Sequence, residues 1–324
     1  MTPCQEELTR NQMQRNTAQV LLSLSVTFVV TLTAFLFLAR WHWAPELFTH
    51  FRLPYLFVFT FILLITLLVS QWKRSIAVGI CLIIQIFSVA PHYFPHFKDH
   101  REGQGTVLKV ISFNVLSSNT EYERVLSFLE KEEADVILLQ EINPAWMNSL
   151  KALRDKYPHR IEYPGQDNFG LLLLSKLPLA SHEVVRIPET NTPFIIANLD
   201  WNGENLRFFG AHPYTPLSAQ GARSRNISLQ IIKERSQTTS GLQIIAGDLN
   251  CSAFSPHFTS LKKGLRDSAA GRGYSATWQR KHPILGIPID HILTSEELVC
   301  NDFQIGQKNG SDHSPLIGIY QRAR

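Results

Sequence analysis

Three uncharged apolar stretches crowd into the first hundred residues, and they restrict this chain more than anything that follows. Arg15 and Arg40 enclose 24 residues without a charge, rich in Val, Leu and Phe; Arg52 and Lys73 enclose 20; Arg74 and Lys98 enclose 23, interrupted late by Pro91 and Pro95. An α-helix rises 1.5 Å per residue, so about 20 apolar residues cross a hydrocarbon core of roughly 30 Å. Three transmembrane helices are therefore expected, near 18–39, 53–71 and 75–91, within an N-terminal tail and anchor over 1–97. Trp41, Trp43, Trp72 and Tyr93 flank the stretches, where an amphipathic ring finds both apolar and wet neighbours. A cleaved signal peptide followed by two buried helices is the competing reading. The first stretch is long for a signal peptide's apolar core, and no small-x-small cleavage motif follows it.

Three crossings put the N-terminus and the C-terminal part on opposite sides. The basic residues are evenly divided, with Arg10, Arg15, Lys73 and Arg74 on one side and Arg40, Arg52, Lys98 and Arg101 on the other. The tightest cluster is Lys73-Arg74, in a very short loop where the positive-inside bias acts most directly. The N-terminus is thus expected inside and the C-terminal domain outside. Cys4 lies in the tail and Cys81 in a span, while Cys251 and Cys300 are either a pair or plain thiols.

Beyond the anchor, residues 98–106 are polar, contain Gly103 and Gly105, and serve as a linker to a domain over 107–324. That domain is nearly neutral. Residues 1–104 carry eight Lys/Arg against five Asp/Glu, which leaves 23 basic and 22 acidic residues for the remainder. A domain that holds DNA mainly through its phosphates carries a clear basic excess. Short apolar runs bounded by turn residues predict strands at 107–115, 135–140, 170–175, 194–200, 205–211, 242–247, 288–293 and 315–320. Apolar residues recurring at three and four predict helices near 120–132, 143–156 and 218–237. Asn202-Gly203 between 194–200 and 205–211 marks a hairpin, hence antiparallel pairing and an α/β sheet that is not purely parallel.

Chemistry-bearing residues fall where these strands end. Asn114, in SFNVL, lies near the end of an apolar strand, Glu141 follows ILLQ, His212 follows FFGA, and Asp248 and Asn250 close IIAGDLN. Asp290 and His291 sit in IPIDHI, and Asp312 and His313 just precede the last strand. Carboxylates and imidazoles are costly to bury unless paired, hydrogen-bonded or metal-bound. Each has a plainer role: Gly-Asp-x-Asn is ordinary turn chemistry, Glu141 can open a helix, and His212 can be a loop residue. His291 alternates with Asp290 along a strand, so one of the two faces away, and His291 reads as structural. Together the segments point to one convergent pocket.

Asn114 in SFNVL, Gln140-Glu141, Gly247-Asp248-Leu249-Asn250, Asp290 in IPIDHI and Ser311-Asp312-His313-Ser314-Pro315 resemble the endonuclease/exonuclease/phosphatase superfamily, deoxyribonuclease I-like, in a membrane-anchored bacterial type. The resemblance covers roughly 107–322. It implies a four-layer α/β/β/α sandwich of two mostly antiparallel sheets and hydrolysis of a phosphoester with a divalent cation, Mg²⁺ or Mn²⁺. By the same resemblance Glu141 is the principal metal ligand, completed by Asn114 and Asp312. Asp248 orients or deprotonates water, with Asn250 beside it. His313 meets the scissile phosphate, Asp290 fixes its tautomer, and His212 is a second phosphate contact. Asn168 reaches the phosphate or makes a turn. The motifs fix chemistry, not substrate. The anchor and the neutral domain favour a membrane-bound phosphatase or phosphodiesterase acting on a lipid-linked or small phosphoester, at a bacterial inner membrane with the domain on its extracytoplasmic side. A membrane-tethered nuclease and a non-catalytic scaffold of the same fold are the alternatives.

Overall fold

A computed structural model of the chain describes residues 3–94, 102–238, 240–273, 276–279 and 285–324. The chain divides into two compact units, Met1–Ala90 and Pro91–Arg324. Lys98, Arg101 and most of the first half of the expected linker lie outside the described residues, as does the side chain of Tyr93.

The first unit is helical: α1 (Pro3–Leu36), α2 (Trp43–Thr49), α3 (Arg52–Leu68) and α4 (Trp72–Tyr93). Helix α1 starts well before the apolar stretch, because Gln, Glu and Arg of the tail are themselves good helix formers. Two helical segments, Cys4–Arg40 and Trp72–His92, are long and apolar enough to cross a membrane. A third is reached by taking α2 and α3, which meet at 72°, as one broken span. The stretch expected to span 53–71 thus differs: α3 has 17 residues and closes at Leu68, with Ser70 in the left-handed region at φ 56°. Val29, Leu32 and Leu36 of α1 pack on Phe59 and Ile62 of α3 and Val78 and Cys81 of α4. Large apolar side chains also cover the outside, among them Leu24, Phe61 and Phe87, the last 75% exposed. A helix apolar on both its packed and its outer faces suits a lipid solvent.

The second unit contains two six-stranded sheets. In chain order its elements are β1 (Gly103–Asn114), α5 (Tyr122–Glu132), β2 (Val136–Gln140), α6 (Pro144–Ser149), β3 (His159–Tyr163), β4 (Leu171–Ser175), β5 (Leu179–Arg186) and β6 (Pro193–Trp201). There follow β7 (Glu204–Ala211), α7 (Ala219–Gln237), β8 (Gln243–Asp248), α8 (Pro256–Leu261), β9 (Arg266–Asp267), β10 (Asp290–Thr294), β11 (Leu298–Ile305) and β12 (Leu316–Ala323). The sheet orders are β11-β12-β1-β2-β4-β3 and β5-β6-β7-β8-β10-β9. Among the described residues, the central pairs β1–β2 and β7–β8 are the only parallel ones. Each is joined by a helix, as a parallel crossover requires. The hairpin β6–β7 forms as expected, with Asn202 and Gly203 both at positive φ.

Side-chain alternation makes four layers. Leu108, Val110, Val136 and Leu138 of the first sheet meet Ile195, Ala197, Phe208 and Ile244 of the second. The opposite faces pack outward, Ile111, Phe113, Ile137 and Leu139 under Val125, Leu129 and Trp146, and Phe209 and Ile245 under Leu229, Ile232 and Phe258. This is the expected α/β/β/α sandwich. Two local expectations differ. The helix predicted over 143–156 is only α6, which breaks into a 3-10 turn at Leu150–Leu153. Residues 103–106 belong to β1 rather than to a linker, because Gly103 and Gln104 pair with Ala323 and Arg322.

Candidate active site

Both parallel pairs aim their C-terminal ends at the same edge of the sandwich. In the first, Asn114 pairs with Gln140, which places Glu141 one residue further on. In the second, Ala211 pairs with Gly247, so His212 and Asp248 come next. Strand β10 runs antiparallel to β8 and begins there, with Asp290 directly opposite Asp248. His313 stands just ahead of β12, whose Leu316 pairs with Ser112 of β1. Three of the turns leaving this edge hold non-glycine residues in the left-handed region, Leu116 and Glu141 at φ 63° and Asn250 at φ 48°. Backbone held there costs of order 1–3 kcal/mol per residue and clusters at functional sites.

The side chains converge on Asp248, which is buried. Its Oδ2 takes Asn114 Nδ2 at 3.2 Å and faces His212 Nε2 at 3.4 Å and His313 Nε2 at 3.5 Å. Its Oδ1 accepts the Asn250 backbone N–H at 2.9 Å. Burial alone would raise the Asp248 pKa, but His313 and His212 outweigh it and hold it down at about 2. His313 donates from Nδ1 to Asp290 Oδ2 at 2.9 Å. Burial works against its charge, yet Asp290 first and Asp248 next push its pKa up to about 10. His212 is raised likewise, its burial overcome by Asp248.

Glu141 sits beside this group. Asn114 Nδ2 donates to its Oε1 at 3.0 Å, so one amide nitrogen ties the Glu141 and Asp248 carboxylates together. The Ser117 backbone N–H donates to Oε2 at 3.0 Å. Asn114 Oδ1 accepts the Leu116 N–H at 3.0 Å, so Asn114 also places the two carboxylates through its amide nitrogen. Asp312 Oδ2 accepts Trp278 Nε1 at 2.8 Å, whereas its buried Oδ1 has no hydrogen-bond partner. Asp290 Oδ1 is also buried without one. Oxygens of this kind suit a hard divalent cation. Asp248, Asp290 and His313 bring ligand atoms within 4.8 Å of one another. Within this trio the Asp290 carboxylate bonds His313 Nδ1 at 2.9 Å, the geometry of an ion-paired imidazole.

Asn250 Nδ2 donates to the Pro213 carbonyl at 2.9 Å and so locks the His212 turn. Asn168 is exposed and accepts from Ser117 Oγ at 2.8 Å, next to Glu141. His291 points away from Asp290, its Nε2 at 2.8 Å from the Cys251 carbonyl and its ring against Phe258. Cys251 and Cys300 are thiols and are not joined in a disulfide.

A family model described as Endonuclease/Exonuclease/phosphatase family matches residues 111–313. The chain belongs to this family. It is accordingly a metal-dependent hydrolase of phosphoester bonds. No curated protein sequence matches the chain significantly. Among solved structures, D. rerio TDP2 humanized by 14 mutations is 19% identical and covers 67% of this chain and 100% of its own, with a TM-score of 0.59. An endonuclease/exonuclease/phosphatase from Beutenbergia cavernae is 17% identical, covering 68% and 72%, with a TM-score of 0.56. Sphingomyelinase C from Streptomyces griseocarneus is 18% identical, covering 66% and 99%, with a TM-score of 0.51. These likenesses establish the fold of the family member.

Several contributors are not visible in the sequence. Ser117 and Trp278 bind Glu141 and Asp312 from loops without a motif. Arg225 of α7, fully buried, donates from Nη1 to the Asn250 carbonyl at 2.8 Å and from Nε to Asn226. In the sequence Arg225 is one of several polar residues of a helix of ordinary polarity, and nothing there singles it out.

Proposed function

We propose that this family member is a membrane-anchored phosphoesterase that cleaves a lipid-linked phosphoester at a bilayer surface. The observation that carries the substrate class is the coexistence, in one chain, of two to three candidate spans and a hydrolase domain with 23 basic and 22 acidic residues. A tether raises the local concentration of lipid, and charge balance removes the usual means of holding nucleic acid. The Lys73-Arg74 cluster supports a domain on the extracytoplasmic side of a bacterial inner membrane.

Glu141 and Asp312 would hold the divalent cation, Mg²⁺ or Mn²⁺, with Asn114 positioning Glu141 from behind. When bound, it neutralises phosphate charge and favours a nucleophilic water. His313 and His212 both present Nε2 to Asp248 Oδ2; a phosphoryl oxygen bound beside that carboxylate would find the same two N–H donors. Asp290 keeps His313 charged for that contact. Asp248, with a pKa near 2, is a weak base, so it orients the attacking water more than it takes its proton. Asn250 holds Asp248 and the His212 turn in register. Asn168 has its amide nitrogen available to the phosphate.

The test is Mg²⁺-dependent phosphate release from an isoprenoid pyrophosphate by the solubilised full chain, run beside plasmid nicking. Release from the lipid supports the reading. Fast nicking that is lost at raised salt replaces it with the nuclease, and a folded chain inert on every phosphoester replaces it with the scaffold. A reporter fused at the C-terminus reads the orientation.

A further inference from the structure

Two loops meet beside His212 and bring aromatic rings to the mouth of the site. Phe169 lies 4.6 Å from Tyr214 between ring centroids, tilted by 54°, and 5.8 Å from the His212 ring. Both loops are fixed by the machinery itself. The Gly165 N–H donates to the Ile142 carbonyl at 2.9 Å, and the Ile142 N–H donates to the Gly170 carbonyl at 3.1 Å, so the Phe169 loop is clamped at both ends to the residue after Glu141. A Cβ on Gly170 would stand 1.8 Å from the Ile142 carbonyl oxygen, so the clamp requires glycine. The Tyr214 loop is held at Pro213 by Asn250. Under the rings, His212 Nδ1 is buried with no partner. Leu217, three residues past Tyr214, is 75% exposed.

Aromatic steps of this kind also serve single-stranded nucleic acid, but there they are interleaved with cations that track the backbone. Residues 164–170 (PGQDNFG) and 213–218 (PYTPLS) contain no Lys or Arg and one Asp. An uncharged aromatic and aliphatic wall next to a phosphate-sized site fits an apolar chain. We infer that Phe169, Tyr214 and Leu217 form the wall that receives the organic group of the substrate, and that this group is an aliphatic or isoprenoid chain. The inference rests on the phosphoesterase reading above and names which surface sorts its substrates.

The experiment is calorimetric binding of ethylphosphonate, hexylphosphonate and a 5′-phosphorylated single-stranded pentanucleotide to the solubilised full chain in Mg²⁺. Four added methylenes, partly buried, make hexylphosphonate bind about tenfold tighter than ethylphosphonate. Phe169→Ala and Tyr214→Ala each bring that ratio to within about twofold of one, and Phe169→Leu restores it. Because a ratio is read, a general loss of fold or of phosphate affinity does not mimic the result. An even ratio in the unmutated chain, or an unchanged ratio in both alanine variants, overturns the inference while lipid hydrolysis leaves the function standing. Tighter pentanucleotide binding that both variants abolish assigns the wall to base stacking instead. No binding of either phosphonate removes the wall and the phosphoesterase reading together.

Discussion

The pairing of His313 with Asp290 makes the sharpest demand on the proposed chemistry. Asp290→Asn keeps the shape and an oxygen for His313 Nδ1 but removes the charge. His313 is buried and would be neutral near pH 7 on that account alone. The carboxylates of Asp290 and Asp248, in that order, lift its pKa to about 10 from an ordinary 6.5. An opposite charge at contact distance is worth about one to three pKa units. The variant should therefore hold His313 protonated only to between about pH 7 and pH 9. Catalysis by an imidazolium is lost as pH rises, so the alkaline limb of kcat/KM in saturating Mg²⁺ should move down by one to three units. At pH 9 the variant should lose between about twofold and about a hundredfold in rate, and at pH 6 much less. Linkage gives stability the same sign: a raised pKa contributes below the unfolded value of about 6.5 and is lost as pH rises through about 10, so the variant's stability should depend less on pH across that window. Superimposable pH–rate profiles for the two proteins, measured from pH 6 to 10, would refute the argument.

Glu141→Gln and Asp248→Asn should each cost at least about two orders of magnitude in rate with the circular dichroism spectrum unchanged; wild-type turnover in either removes that residue from the site. Chelation by EDTA should abolish hydrolysis, and Mg²⁺ at a hundred times its Kd should stabilise the domain by about 2.7 kcal/mol in urea unfolding, against no change if no cation binds. Gly247→Ala places a Cβ 1.9 Å from the Ala211 carbonyl oxygen at φ 142°; a loss of about 3 kcal/mol or more is expected from equilibrium unfolding, and a neutral substitution contradicts that packing. Arg225→Met removes the donor to the Asn250 carbonyl and should lower stability by about 1–3 kcal/mol and kcat at least about tenfold; an unaltered kcat would mean that Asn250 is held without it.

The interior of the fold was legible and its margins were not. Strands expected at 107–115, 135–140, 170–175, 194–200, 205–211, 242–247, 288–293 and 315–320 correspond to β1, β2, β4, β6, β7, β8, β10 and β12. The four that pattern reading missed, β3, β5, β9 and β11, are the four sheet edges. An edge strand is half solvated, and β5 and β11 accordingly show mostly exposed or half-buried positions without clean alternation. Helix 143–156 failed where no residue after Ser149 sustains an α-helical ladder and the turn tightens. Site residues at the ends of apolar strands were visible because a charged group ending a buried run needs a reason. Arg225, Ser117 and Phe169 had no such contrast, since their roles come from loops and an outer helix brought close only by the tertiary fold.

The hairpins trade places between the two halves of the sandwich: β5–β6 completes the sheet of β7–β8, and β11–β12 completes that of β1–β2. Ser311 accordingly bonds the carbonyl of Asn114 across 197 positions. During synthesis the apolar helices emerge well before β12. A chain cut before β12 would thus keep the apolar helices and lose the strand that pairs with β1, which ends at Asn114.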